Sequence, residues 1–151
     1  MKNLISSLIL ISFMLISCGP GMEQKSFSDV KKSYTISSDG KSNKEIVDAV
    51  KIWGGETFND WNEVLQTTSE DKGVVVFRYG EKYSLMGNRC RVMVSVKIKP
   101  KNENNLSIRF SNLTQSGGAD SCGWIHHDGV VSLSTSFKIL SKQIQFAITD
   151  Y

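Results

Sequence analysis

The clearest pattern along the chain is a strict alternation between Arg91 and Lys99. Val92, Val94, Val96 and Ile98 fall on one face, and Arg91, Met93, Ser95, Lys97 and Lys99 on the other. Leu106, Ile108 and Phe110 alternate in the same way with Ser107, Arg109 and Ser111. Between the two runs, residues 100–105 form a polar stretch opened by Pro100, which predicts a hairpin loop. One-sided alternation in an antiparallel pair means that one face is buried and the other is wet. A helix is the usual cover for the buried face.

That helix is predicted over Asn43–Trp53. Ser42 and Glu45 form a capping box, in which the serine hydroxyl accepts from the Glu45 N–H and the carboxylate accepts from the Ser42 N–H. Ile46, Val47, Val50 and Trp53 follow at helical spacing, and Gly54-Gly55 stands where a C-cap belongs. Shorter strands are predicted at Tyr34–Ile36, Val64–Thr68 and Val74–Tyr79. A turn is predicted over Ser69–Gly73, and Gly80 is read as the end of the third strand. Loops are expected at Ser116–Asp120 and His126–Gly129. Ser134–Asp150 fits two templates. Phe137, Leu140, Ile144 and Ala147 have helical spacing, while Ile144, Phe146 and Ile148 alternate as a strand would. The helical pattern is longer and is preferred.

The amino terminus has a different pattern. Lys2 is followed by an apolar run from Leu4 to Ile16, then by Ser17 and Cys18. This is the layout of a secretory signal peptide, and the run is too short to span a bilayer. Leu15-Ile16-Ser17-Cys18 resembles the lipobox of bacterial lipoproteins. The resemblance implies cleavage before Cys18 and acylation of its thiol and amino group with chains such as palmitate. Residues 1–17 are thus expected to be the signal, 18–33 the lipidated cysteine and a flexible tether, and 34–151 a single α+β domain. The mature protein would be anchored to a membrane of the cell envelope, with the outer membrane preferred.

Composition changes this picture little. The chain has 151 residues, 40% apolar and 22% charged, with a formal charge of +3. That charge is too small to argue for nucleic acid, and export argues against it as well. Removal of the signal and acylation of Cys18 leave two cysteines with unmodified thiols, Cys90 and Cys122. In an exported chain an even number of cysteines points to a disulfide. Closing the hairpin near Asn102 and Glu103 sets Cys90 opposite about Gln115, close to the loop that holds Cys122.

A second resemblance lies in the middle of the chain. It is carried by Ile52-Trp53-Gly54-Gly55-Glu56-Thr57-Phe58-Asn59, then Glu63-Val64-Leu65-Gln66, then Glu70-Asp71-Lys72-Gly73-Val74-Val75. From Tyr34 to about Gln115 the order and spacing resemble bacterial envelope proteins of the domain of unknown function 4468 family. These are assigned a fold like that of the TATA-binding protein. The resemblance implies a curved antiparallel sheet of four to five strands with one or two helices on one face. It brings no catalytic residues, and the chain departs from the pattern after Gln115.

Two surfaces are candidates for chemistry. Cys122, His126, His127 and Asp128 form the only cluster that looks reactive. Cys122 with His126 or His127 would be the pair for an envelope enzyme. A disulfide at Cys122 removes that reading, as it removes a metal site. Arg91, Lys97, Lys99 and Arg109 share the polar face of the sheet; the preferred reading is a solvated face that discourages edge pairing, and the alternative is a surface for an anionic lipid, a glycan or an envelope protein. Trp53, Phe58 and Trp61 are read as core. No P-loop, dinucleotide fingerprint or metalloprotease motif is present, so no cofactor is expected and the chain is read as a non-catalytic binding or scaffolding module.

Overall fold

The structure is a computed structural model and describes residues 24–85, 88–115 and 125–150. The signal peptide, Cys18 and Cys122 lie outside the described residues. Strands β2 (Ser33–Ser37), β3 (Leu65–Ser69), β4 (Val74–Leu85), β5 (Asn88–Asn102) and β6 (Asn105–Gln115) form one antiparallel sheet in the order β2-β6-β5-β4-β3. The sheet is curved, and the architecture is the α+β one expected. Helices α1 (Asn43–Thr57) and α3 (His127–Asp150) lie against each other, and both touch β4. A one-turn helix α2 (Trp61–Val64) precedes β3, which makes three helices where one or two were expected. Strands β1 (Gln24–Lys25) and β7 (Ile125–His126) form a separate two-stranded ladder.

The alternation read from the sequence sorts the two faces as predicted. Val92, Val94, Val96, Ile98, Leu106, Ile108 and Phe110 are buried, with Val75 and Phe77 of β4 beside them. Val47 and Val50 of α1 and Leu133, Phe137, Ile144 and Ile148 of α3 cover them. Phe110 and Phe137 stack at 4.1 Å, which fixes α3 over β6. The capping box also forms as predicted, with the Ser42 N–H donating to Glu45 at 2.8 Å and the Glu45 N–H donating to the Ser42 hydroxyl at 3.3 Å.

Several boundaries differ from expectation, each for a packing reason. Helix α1 does not stop at Trp53 but runs through Gly54-Gly55 to Thr57. Gly54 is inside the helix because Trp61 lies on it: a Cβ at Gly54 would fall 2.5 Å from the indole. The strand expected at Val64–Thr68 starts one residue later, because Asp60 caps the short α2 by accepting from the Glu63 N–H. Strand β4 continues through Gly80 to Leu85, since the hairpin partner β5 is long enough to pair with all of it. The six-residue hairpin loop shrinks to Glu103-Asn104, with Asn102 and Asn105 already paired.

At the carboxyl terminus helix replaces the alternative strand, and it begins at His127 rather than Ser134. The loop expected over His126–Gly129 is therefore the junction of β7 and α3. Of the tether expected over 18–33, residues 18–23 lie outside the described residues, and residues 24–33 pack onto the domain. Ser26 and Asp29 make a second capping box around a 3-10 turn at Phe27–Asp29. Val30 is 3% exposed and belongs to the core. Lys31 N–H donates to the Ser134 hydroxyl, and Phe110 N–H donates to the Lys32 carbonyl.

Candidate functional site: the cationic face of the sheet

Opposite the helices, the sheet presents a face dense in positive charge. Arg91, Lys97, Lys99 and Arg109, the four cations singled out from the sequence, are all exposed there. The register adds Arg78, Lys82 and Lys101, also exposed. Arg78 and Lys82 alternate along β4 with the buried Phe77, Tyr79 and Tyr83, a signal hidden by reading Gly80 as a strand end. Lys101 continues the β5 alternation beyond Pro100, where a loop was expected.

Acidic residues are nearly missing from the strands. Glu81 is the one acid in β2–β6, and it pairs with the buried Val92, on the helix-facing side. Among the described residues none of the seven cations makes an ion pair. Arg78 reaches across to the Thr114 hydroxyl at 3.3 Å, and Lys101 to the Thr35 hydroxyl at 3.3 Å. Neither contact neutralises a charge.

The register also sets like charges against each other. Lys82 stands directly opposite Arg91, and Lys97 directly opposite Arg109. Such cross-strand pairs are destabilising. Gly80 lets the Arg91 side chain lie against the sheet, because a Cβ there would meet the guanidinium. At one margin Asp60 and Glu63 join Arg78 and Arg91 around a shallow hollow of about 350 Å³. The half of the face that carries Lys97, Lys99, Lys101 and Arg109 has no such acids beside it in the strands.

The other candidates are dispersed. His127 and Asp128 are exposed in the first turn of α3, and His126 is in β7. No group of three or more His, Cys, Asp or Glu side chains among the described residues is placed to share a metal ion. Cys90 is 1% exposed within β5. The register places Gln115 opposite Val92 rather than Cys90: the hairpin pairs Lys97 with Arg109, one residue from the expected register, and a bulge at Asn112, with φ +51°, inserts one more residue into β6. Trp53, Phe58, Trp61, Phe77 and Tyr79 pack as one aromatic cluster between α1 and β4, as core rather than as a ligand platform.

This arrangement of five antiparallel strands with helices on one side is a TBP-like fold. It is similar to the crystal structure of a TBP-like protein from Parabacteroides distasonis, with a TM-score of 0.59 and 10% identity over 78% of this chain and 90% of that one. It is likewise similar to a DUF4468 family protein from Bacteroides ovatus, with a TM-score of 0.58 and 12% identity over 85% of this chain and 91% of that one. At such identities the likeness is one of fold. No known protein family matches the chain by sequence, and no curated protein matches it.

Proposed function

We propose that this protein is a lipid-anchored module of the bacterial envelope, held by Cys18 in the outer membrane, that binds an anionic glycan through the outer face of its sheet and has no catalytic centre. The observation that carries the reading is the facing of Lys82 on Arg91 and of Lys97 on Arg109. Repulsion within each pair weakens the free protein slightly, and a carboxylate or phosphate bridging the pair relieves it. A single like-charged pair would be unremarkable on a solvated face. Two pairs among seven exposed cations, with no acid on that face of strands β2–β6 and Asp60 and Glu63 beside it at one margin, favour an anionic partner over water.

The test is binding of the full chain to an acidic polysaccharide as salt is raised. Affinity should fall steeply up to about 0.5 M salt, as exposed charges are screened. Lys97→Gln with Arg109→Gln should weaken binding by about tenfold or more at low salt. Affinity indifferent to both salt and substitution would overturn the reading. The anchor is tested separately: Cys18→Ser should abolish incorporation of labelled fatty acid.

A disulfide between Cys90 and Cys122 belongs to the same proposal. It is supported by the burial of Cys90 and by its pairing with Cys122 as the two cysteines left once Cys18 is acylated. The bond would leave Cys122 without the thiolate that an enzyme reading needs. Alkylation of the unreduced protein should then label neither cysteine, and labelling of Cys122 would reopen the enzyme reading.

A further inference from the structure

We infer that the outer surface of the helix layer rests on the bilayer that holds the Cys18 anchor, so that the cationic sheet face points away from the membrane. The inference rests on the lipid-anchored reading above. Ile139 and Phe146 of α3 are 53% and 65% exposed, and Ile52 of α1 is 45% exposed. Ile139 and Phe146 are seven residues apart, so they lie on one line two turns long. They border a groove of about 770 Å³ between α1 and α3, with Trp53 and Ala147 in its wall. Lys142 stands at the rim, and Glu56 and Asp150 also line the groove.

Single exposed apolar side chains are common and by themselves indicate nothing. Here the length of the leading chain names the occupant. Six Cα steps separate Cys18 from Gln24, a reach of about 20 Å when fully extended. Gln24 is the first residue of β1, and β1 pairs with β7, which runs directly into α3. Lys31 and Tyr34 then bond to Ser134 in the second turn of α3. The lipid-bearing segment thus enters the domain alongside this helix and keeps it near the membrane surface. Val131, 50% exposed, lies close to the point of entry. Lys138 and Lys142 flank Ile139 and are exposed. Their long stems suit the headgroup layer, while Ile139 and Phe146 enter the acyl boundary.

The test uses the full lipidated chain in vesicles of phosphatidylethanolamine and phosphatidylglycerol. A photoreactive p-benzoylphenylalanine replaces Ile139, Phe146 or, on the sheet face, Lys97. Lipid adducts at 139 and 146 should exceed those at 97 by about tenfold, the contrast between a side chain at the acyl boundary and one in water. Equal or greater lipid labelling at 97 would overturn the inference, as would adducts at 146 to a second copy of the chain, or none. Intact mass separates the two levels of the argument. A protein with acyl chains and no lipid adducts at 139 and 146 fails this inference alone. A protein without acyl chains fails the anchor reading and this inference with it.

Discussion

At Gly54 a single hydrogen carries a structural decision. Alanine normally stabilises a helix interior relative to glycine by about 1 kcal/mol. At this position the methyl would strike the Trp61 indole, which stacks on Phe58 at 5.6 Å. Gly54→Ala should therefore lower stability by roughly 1–3 kcal/mol in chemical denaturation, the range for an overpacked site. A gain in stability would show that Trp61 moves aside freely. Tyr79 is a second site of this kind. Its hydroxyl is buried, and among the described residues no hydrogen bond of good geometry satisfies it, although Glu81 stands close by. Burial, with the Glu81 charge as a smaller cause, holds its pKa well above the ordinary 10.0. The unfolded chain releases this proton from about pH 10 while the folded chain retains it, so folding weakens as pH rises past that point. Tyr79→Phe should flatten the decline, as read from urea midpoints at about pH 9 and pH 11. An unchanged slope would assign the alkaline loss to other groups.

Elements are where sequence and structure agree best, because their signals are local. The Ser42 box starts α1 where the sequence places it, and Ser42→Ala should cost about 0.5–2 kcal/mol. A loss indistinguishable from zero would mean that α1 is held wholly by its packing. In β5 the alternation fixes both faces, since a one-residue slip would drive Lys97 and Lys99 into the core. Val96→Ala should destabilise by on the order of 1–3 kcal/mol, from lost burial and an unfilled cavity. The double variant Lys97→Ala, Lys99→Ala should stay within about 0.5 kcal/mol of the parent, as surface changes do. Its small effect should be favourable, because Arg109 loses its like-charged neighbour. Thermal melts of the two variants would settle the facing, and unfolding of the lysine variant would reverse it.

Considered as a whole molecule, the protein has two unlike faces, and its amino-terminal segment is part of the domain. Residues 24–33 have the composition of a tether, yet Val30 is buried and Phe27 packs on the core. Val30→Ala should thus cost on the order of 1–2 kcal/mol, a value that a true tether would not give. Equilibrium unfolding of the full chain checks it, and a null effect would return this segment to the tether.

The sequence by itself determined which residues are paired with water and which with one another inside an element. Period-two and helical spacing, the capping box and the turn residues are each encoded within a few positions, and they fixed the five main strands, α1 and the placing of Lys97 and Arg109 on the wet face. The carboxyl-terminal helix was legible only as the better of two fits. Tertiary structure decided what depends on contacts between distant residues. Gly54 and Gly80 punctuate an isolated chain, but in the fold they give room to Trp61 and Arg91, so α1 and β4 run on through them. The opposition of Lys97 to Arg109 and of Lys82 to Arg91 is set by the registers of the β5–β6 and β4–β5 ladders. Local pattern specifies faces, whereas register and long-range packing specify neighbours, and the character of the cationic surface depends on neighbours.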